Sequence, residues 1–335
     1  MTHASFPASK GSAIGVRPHL YLIALDWGTT SLRAYLIARD GRVIEERAGG
    51  KGIMQVEDRR FADALSALCG DWLDSHPAAT LIASGMIGSK QGWIEAPYCP
   101  CPANAVALVE KMVTVNTGIV VGNDASADAN GSEIANNMRP LHIVPGVAFI
   151  DPLSNVPDVM RGEETQIIGA IPATGAHLVV LPGTHSKWAW VEDGAIVHFS
   201  SWMTGEVYAA LTQHTILGRL MKLDAAHNAS AFARGVHYGI ENPGQLLSRI
   251  FSARTLGLFD ALTDSALPSY LSGLLIGTEI GAAIGGKHDL PPAILLGSPL
   301  LVQRYQSAFG AAGLRATAGP EHCAAQGLHR LAQAL

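Results

Sequence analysis

With 335 residues the chain can bury two hydrophobic cores, and its length favours two domains. Hydrophobic residues make up 48% of it and charged residues only 15%, which excludes a disordered protein and is typical of a compact folded one. The net charge is −5 and no stretch concentrates lysine and arginine, so we predict no nucleic-acid partner.

The cysteines and the N-terminus exclude other classes of protein. The four cysteines are scattered, and a disulfide framework is not expected in a chain of this size. No apolar run approaches membrane-spanning length, so we expect no membrane partner. Residues 1–19 lack the cationic start and apolar core of a secretory signal and are predicted to be a flexible leader. These features favour a cytoplasmic protein.

The first predicted structure is a three-strand meander (20–26, 31–38 and 42–48) whose first turn is rich in hydroxyls. We expect Gly28 to permit a tight backbone reversal, which places Thr29, Thr30 and the following serine in one small space. Such a group of donors suits a phosphate, and Asp26 beside it suits Mg²⁺ held through water. Taken alone, an ordinary hairpin with a polar turn explains these residues nearly as well.

A helix over 61–72 and a buried strand over 79–83 are predicted next, followed by a loop rich in glycine. The loop begins where the strand ends, which is where ligands gather in open α/β sheets. Its side chains can hydrogen-bond a polyol and attract a carboxylate: Ser84, Met86, Lys90, Gln91 and Trp93. The alternative is a surface loop in which Trp93 is only a packing anchor.

Two adjacent acids open a predicted helix after a polar loop over 123–139 and a strand over 141–144. Glu163 and Glu164 precede an apolar helical face, where acids also complement the helix dipole. One of them can instead accept the proton of a substrate hydroxyl during phosphoryl transfer. Adjacent helical residues point about 100° apart, so only one can face a cleft, and the sequence does not say which.

A second hydroxyl-rich turn is predicted between a strand over 176–181 and another beginning near residue 188. It contains Gly183 and Thr184, and His185 and Lys187 add donors for a phosphate or a substrate carboxylate. A buried structural histidine is the alternative for His185. Thr204 is predicted to cap the next helix. Two such turns, half a chain apart, indicate two lobes that face one polyphosphate.

The C-terminal part contains further predicted helices and one more buried strand. A helix over 270–281 carries small residues along one face, which suits a helix under a nucleotide or at a hinge. The strand over 293–296 is followed by Gly297, Ser298 and an amphipathic helix, an arrangement that can hold a ribose or α-phosphate, although a plain turn explains it too. A final helix is predicted over 321–335.

The two turns resemble those of the actin, sugar-kinase and Hsp70 superfamily, and five motifs indicate a closer relationship. In order they are DWGTTS (26–31), SGMIGS (84–89), RGEETQ (161–166), LPGTHSKW (181–188) and LLGSPL (295–300). Together they resemble the 2-dehydro-3-deoxygalactonokinase family over residues 20–335. The resemblance implies an α/β actin-like ATPase fold of two ribonuclease-H-like lobes with an interlobe cleft. It also implies ATP-dependent phosphorylation of the 6-hydroxyl of 2-dehydro-3-deoxy-D-galactonate in galactonate breakdown.

Roles for individual residues follow from this resemblance. Asp26 holds Mg²⁺ through water, and either Glu163 or Glu164 is the catalytic base. The ATP contacts are Gly28, Thr29, Thr30, Arg33, Gly183, Thr184, Gly297 and Ser298. The sugar acid lies among Ser84, Met86, Lys90, Gln91, Trp93, His185 and Lys187. Residues 20–174 form the N-terminal lobe and 175–335 the C-terminal lobe, with the last helix packing back on the first lobe, and the protein can be a homodimer.

Two other functions remain open at this stage. One is a kinase of the same fold that phosphorylates another sugar acid or polyol. The other is a non-catalytic nucleotide-binding sensor. The acids at the first turn and before the second turn argue against the sensor.

Overall fold

The computed structural model describes residues 22–120, 138–286 and 290–335. The predicted leader, and all but the last two residues of the loop predicted over 123–139, lie outside these residues. The strands are β1 (Leu22–Trp27), β2 (Ser31–Ile37), β3 (Val43–Lys51), β4 (Thr80–Gly85), β5 (Cys99–Pro100), β6 (Val113–Val120), β7 (Met138–Ile143), β8 (Val147–Ile150), β9 (Pro157–Met160), β10 (Ala176–Leu181), β11 (Ser186–Glu192), β12 (Ala195–Trp202), β13 (Ala293–Leu295) and β14 (Ala316–Ala318). The α-helices are α1 (Phe61–Ser75), α2 (Ala105–Glu110), α3 (Glu163–Ala170), α4 (Thr204–His214), α5 (Ala229–Glu241), α6 (Leu246–Arg249), α7 (Ser252–Leu258), α8 (Leu267–Ile284), α9 (Pro299–Ala311) and α10 (Cys323–Gln333).

Two sheets repeat one topology. The first has the order β3-β2-β1-β4-β7-β6, and the second has the order β12-β11-β10-β13-β14. In each sheet two antiparallel hairpins are followed by a parallel partner of the first strand, β4 for β1 and β13 for β10. The predicted actin-like ATPase fold is therefore confirmed, and its two hydroxyl-rich turns occupy the same place in the two sheets.

The apolar run of β1 is buried on both faces of the first sheet. Ile23 and Leu25 pack with α1 and its Trp72. Leu22 and Ala24 point the other way, into a core shared with α3, α10 and the second sheet. Because both faces are covered, the strand reads as a continuous apolar stretch rather than an alternating one.

Helices α3 and α10 lie between the two sheets and cross at glycines. A Cβ on Gly169 would lie 1.9 Å from the carbonyl oxygen of Cys323, and one on Gly327 would lie 1.9 Å from that of Thr165. Arg330 of α10 donates to the carbonyls that end α3. The last helix thus packs against α3 and β1, although the lobe boundary between residues 174 and 175 stays a prediction.

The small residues of α8 serve helix packing, which corrects one sequence prediction. Gly273 and Gly277 lie against the backbone of α5, so this face meets a helix rather than a nucleotide. By length and composition α8 is also apolar enough to cross a membrane, contrary to the expectation that no run approaches that length. However, 72% of its residues are buried inside the protein, as in a core helix.

A small third sheet, in the order β5-β8-β9, was not predicted because its strands have only two to four residues. A bridge between Ala103 and Ile196 connects the segment after β5 to β12. This sheet leads directly into the segment that precedes α3, and so it helps to place the acids at the start of that helix.

Candidate active site

The first turn joins β1 to β2 and is fixed by backbone hydrogen bonds. The amide of Gly28 donates to the carbonyl of Ser31 at 2.9 Å. The carbonyls of Gly28 and Thr29 accept from the amides of residues 53 and 54, at 3.1 and 3.2 Å. The side chains of Thr29 and Thr30 remain exposed, so their hydroxyls can reach a ligand.

Gly28 is not needed for a backbone reversal, which corrects the sequence prediction. Its φ is not left-handed, and a Cβ there would lie 3.5 Å from the carbonyl oxygen of Ser31, an ordinary contact. Glycines with a positive φ near the site include Gly85, with φ of 92°, and Gly162, with φ of 108°. A Cβ on Gly162 would lie 3.3 Å from Cα of Gly85. These two glycines therefore let the end of β4 approach the start of α3.

Glu164 points into the protein. It is fully buried, and its two carboxyl oxygens accept from the amide of Gly162 at 2.7 Å and from the hydroxyl of Thr165 at 3.0 Å. Burial raises its pKa to about 8, with a further contribution from the neighbouring carboxylate of Glu163. Both oxygens are thus used within the helix start.

Glu163 points to the other side and is partly exposed. One of its carboxyl oxygens accepts from the amide of Arg161 at 2.9 Å, and the other lies 3.6 Å from Nζ of Lys187. Its charge also acts on Asp26, which places the two carboxylates near one another. The two adjacent acids, which the sequence does not separate, therefore face different environments.

Asp26 occupies the end of β1 between two functional neighbours. It pairs with Arg33 of β2 in the antiparallel register and with Ser84 of β4 in the parallel one. Burial raises the pKa of Asp26, Arg33 lowers it and Glu163 raises it. The buried hydroxyl of Ser84 has no hydrogen-bond partner within the described residues. A buried polar atom without a partner is uncommon in folded proteins.

The second turn joins β10 to β11 and rests on the start of α4. A Cβ on Gly205 would lie 2.4 Å from the carbonyl oxygen of Gly183, so the helix meets the turn backbone directly. The amide of Glu206 donates to the carbonyl of Thr184 at 3.0 Å, and its carboxylate hydrogen-bonds to Nε2 of His185. His185 is exposed and paired with an acid, so it is not a buried structural histidine.

The roles predicted for Lys187 and Thr204 near this turn change in the structure. Lys187 is 5% exposed and lies beside Glu163, so the cation predicted to bind the substrate carboxylate already has an acidic neighbour. Thr204 does not cap α4: the residue before the helix is Met203, and the Thr204 hydroxyl donates to the carboxylate of Glu279. That hydrogen bond joins residues 75 positions apart, which no local sequence signal reveals.

The predicted substrate loop follows β4. Lys90 and Gln91 are exposed, and Met86 is half-buried. The ring of Trp93 stacks on Phe61 of α1 with centroids 5.9 Å apart, so this residue has at least a packing role. A substrate contact for each of these four loop residues stays a prediction.

A cavity of about 750 Å³ lies between the first hairpin and the segments from the end of β13 to the start of α10. Asp26 and Arg33 line it from the first hairpin, and Gly297 and Ser298 line it from the loop before α9. A Cβ on Gly297 would lie 3.2 Å from the carbonyl oxygen of Pro182, so this loop touches the second turn. The cavity therefore connects the predicted metal-binding acid to the predicted nucleoside site.

Sequence reasoning missed several residues that line the cavity. They are Tyr35, Glu46, Gln166, Gln303, Gln306 and His322. The one available signal was the spacing of Gln303 and Gln306, which puts two polar side chains on one face of α9. Glu46 and His322 come from distant parts of the chain and pair at 3.3 Å.

The acids of the site fit Mg²⁺. This ion is usually bound by one or two carboxylates together with water and substrate phosphates. Asp26 and Glu163 supply two carboxylates near one another, and the pKa of Asp26 is raised partly by that like charge, so a cation there removes a repulsion. Within residues 22–120, 138–286 and 290–335 there is no group of three or more His, Cys, Asp or Glu side chains that could hold a metal by themselves.

Comparison with known proteins agrees with these observations. The model of the 2-keto-3-deoxy-galactonokinase family matches residues 26–331. The chain is 36% identical to a probable 2-dehydro-3-deoxygalactonokinase of Rhizobium meliloti, over 89% of this chain and 92% of that protein. It is 31% identical to the 2-dehydro-3-deoxygalactonokinase of Escherichia coli, over 88% and 91%. A crystal structure from Sinorhizobium meliloti, provisionally described as the same kinase, superposes with a TM-score of 0.74 at 33% identity and covers 94% of this chain and 98% of that one. The chain therefore belongs to the 2-dehydro-3-deoxygalactonokinase family of sugar-acid kinases.

Proposed function

We propose that the protein transfers the γ-phosphoryl group of ATP to the 6-hydroxyl of 2-dehydro-3-deoxy-D-galactonate. The observation that carries the proposal is the cavity between the sheets, which joins Asp26 and Arg33 to Gly297 and Ser298. The charge of Glu163 raises the pKa of Asp26, which lines this cavity. The relatives from Rhizobium meliloti and Escherichia coli are named as 2-dehydro-3-deoxygalactonokinases, which supports this reaction. The proposal also includes a cytoplasmic location, where ATP is available.

The nucleotide is held at three places in this proposal. The exposed hydroxyls of Thr29 and Thr30 and the guanidinium of Arg33 bind the β- and γ-phosphates from the first sheet. The backbone at Gly183 and Thr184 binds them from the second sheet. The nucleoside lies against Gly297 and Ser298, at the wall of the cavity. Charge-assisted donors of this kind are about twice as strong as neutral ones, which suits a triphosphate.

Asp26 holds Mg²⁺ through water in the proposal. When it is bound, the ion neutralises charge on the β- and γ-phosphates. The half-buried position of Asp26 at the end of a central strand keeps its carboxylate in one place, and Arg33 opposite it limits the repulsion between Asp26 and the phosphates.

Glu163 is the catalytic base in the proposal. The 6-hydroxyl oxygen forms a bond to the γ-phosphorus as the bond from that phosphorus to the β,γ-bridging oxygen breaks. The hydroxyl proton passes to the Glu163 carboxylate, and ADP leaves. The amide of Arg161 and the ammonium of Lys187 fix the two oxygens of Glu163, so the base is oriented before the substrate arrives.

The sugar acid lies beside the end of β4 in the proposal. Lys90 and His185 are exposed donors for the carboxylate, and Ser84, whose hydroxyl is buried and has no partner among the described residues, lies at the end of β4. Met86, Gln91 and Trp93 complete the wall. Because Lys187 lies beside Glu163, its main role in the proposal is to orient the base, and contact with the substrate carboxylate is its second role.

Product identification tests the proposal. The purified protein is incubated with ATP, Mg²⁺ and 2-dehydro-3-deoxy-D-galactonate or its gluco epimer, and the products are separated and identified by ³¹P NMR. We expect ADP and a 6-phosphate from the galacto acid. ADP formed only with another sugar acid indicates a kinase of different specificity, and tight ATP binding without ADP from any sugar acid indicates a sensor.

A further inference from the structure

A buried carboxylate lies behind the second phosphate turn. Glu279 is in the middle of α8, is 2% exposed and is surrounded by the apolar core of the second sheet. Its carboxyl oxygens accept from the indole N–H of Trp188 at 2.8 Å, from the hydroxyl of Tyr305 at 2.8 Å and from that of Thr204. Burying a carboxylate is costly unless it is well hydrogen-bonded, so a buried acid at this position calls for a reason.

The donors to Glu279 sit on three different elements. Trp188 belongs to β11, Thr204 opens α4, and Tyr305 is in α9. The Tyr305 hydroxyl also hydrogen-bonds at 2.8 Å to the hydroxyl of Ser186, the first residue of β11. Since Tyr305 donates to the carboxylate, its oxygen is left to accept from Ser186. One acid therefore binds three elements together.

Each of these elements carries part of the proposed nucleotide site. Ser186 follows the turn that contains Gly183 and Thr184. The start of α4 supports that turn through the close contact of Gly205 and the amide of Glu206. Helix α9 begins directly after the loop that lines the cavity at residues 297 and 298. The hydrogen bonds of Glu279 thus connect the elements behind the phosphate turn to the helix that follows the nucleoside loop.

We infer that Glu279 is a positioning residue for the nucleotide: through Thr204, Tyr305 and Ser186 it holds the second phosphate turn at a fixed distance from the loop at Gly297 and Ser298. This inference rests on the proposed function, because it assumes that ATP occupies this cavity. Glu279 touches neither substrate nor nucleotide and acts only through the elements it connects. The role predicts an effect on nucleotide affinity and a much smaller effect on the sugar acid.

The test compares Glu279→Gln with Thr278→Val. Glutamine keeps the size of the side chain, but its NH₂ group places two N–H donors among the three groups that donate to the Glu279 carboxylate. Thr278 is the neighbour on α8 and is also buried, and its hydroxyl donates within the helix to the carbonyl of Leu274. The affinity for a non-hydrolysable ATP analogue with Mg²⁺ is measured by calorimetry, together with the KM for the sugar acid and the melting temperature.

We expect Glu279→Gln to bind the analogue about tenfold more weakly, equivalent to about 1.4 kcal/mol. The KM for the sugar acid should change less than about twofold, and Thr278→Val should bind the analogue like the wild type. Tyr305→Phe removes the hydroxyl that connects Glu279 to Ser186, so it should also weaken binding of the analogue. If Glu279→Gln does not fold, the affinity of Tyr305→Phe tests the inference instead.

Several outcomes overturn the inference. Unchanged analogue affinity in the folded Glu279 or Tyr305 variant does so, and so does an equal loss in Thr278→Val, which indicates general destabilisation. If the wild type phosphorylates the sugar acid in these cases, the proposed function stands and only the positioning role fails. A wild type that binds no nucleotide overturns both.

Discussion

Substitutions at the two adjacent acids before the second turn separate a catalytic base from a structural acid. Glu163→Gln removes the proposed proton acceptor while it keeps the side-chain size. General-base catalysis contributes about 10²- to 10⁴-fold to the rate, so kcat should fall by that factor. This fall corresponds to a loss of about 3 to 5 kcal/mol of transition-state stabilisation. Lys187 is buried beside Glu163, so the variant also loses stability, on the order of 3 kcal/mol.

Glu164→Gln should behave differently although it is the next residue. The pKa of Glu164 is raised to about 8 by burial, so this side chain is mostly protonated at pH 7. Glutamine has the same size and is neutral, and its carbonyl can still accept from the amide of Gly162. We expect kcat to stay within about threefold of the wild type and the unfolding free energy within about 1 kcal/mol.

The assay is coupled ADP-release kinetics at saturating ATP and sugar acid, combined with urea unfolding of each variant. Glu163→Gln/Lys187→Met serves as the control for stability: removal of the unpaired ammonium should restore the unfolding free energy without restoring kcat. The reasoning is refuted if Glu163→Gln keeps more than about a tenth of the wild-type kcat while Glu164→Gln loses more than about a hundredfold.

Three further predictions concern the metal-binding acid, the helix crossing and pH. Asp26→Ala should reduce kcat at least about a hundredfold without lowering the melting temperature, because it removes a half-buried acid whose charged form is disfavoured by desolvation and by the like charge of Glu163; near-normal turnover would defeat the role of Asp26. Gly327→Ala should lower the unfolding free energy by about 1 to 3 kcal/mol, because its Cβ would lie 1.9 Å from the Thr165 carbonyl oxygen. Gly70→Ala in α1 is the control: its Cβ would have no neighbour within 4 Å, so the protein should become more stable by about 0.5 to 1 kcal/mol. Equal effects of the two substitutions in denaturant melts would contradict the crossing geometry. The pKa of Glu164 rises on folding from 4.5 to about 8, so the folded state binds more protons than the unfolded state between these pH values. The unfolding free energy of the wild type should therefore fall relative to that of Glu164→Gln as the pH rises from about 5 to 8. A constant difference between the two proteins in urea titrations across that range would count against the burial of this acid.

The central strands of the two sheets could be predicted because their signal is local, whereas the edge strands β6 and β14 were not predicted. The apolar runs of β1, β4, β10 and β13 are buried on both faces, and each ends at a turn signal that the sequence shows directly. The repeated hydroxyl-rich turn then predicted the two-lobed fold. The short strands of the third sheet gave no comparable signal, because two to four residues carry no periodicity.

The site was less predictable because its contacts join distant segments. Nothing near Thr204 indicates that its hydroxyl binds Glu279, and nothing near Lys187 indicates that it meets Glu163. The two acids at the start of α3 are equivalent in sequence and differ only in what surrounds them. Gly28 shows the opposite error: a glycine in a turn motif suggested a backbone reason that the φ angle does not support.

The central claim is that the two turns hold one triphosphate across the cavity, and a crystal structure with Mg²⁺ and a non-hydrolysable ATP analogue tests it most directly. The account predicts the β- and γ-phosphates between Thr29–Thr30 and Gly183–Thr184, with the nucleoside against Gly297 and Ser298. A nucleotide bound elsewhere, for example in the smaller cavity between β3 and α1 lined by Gly50 and Leu68, would contradict it.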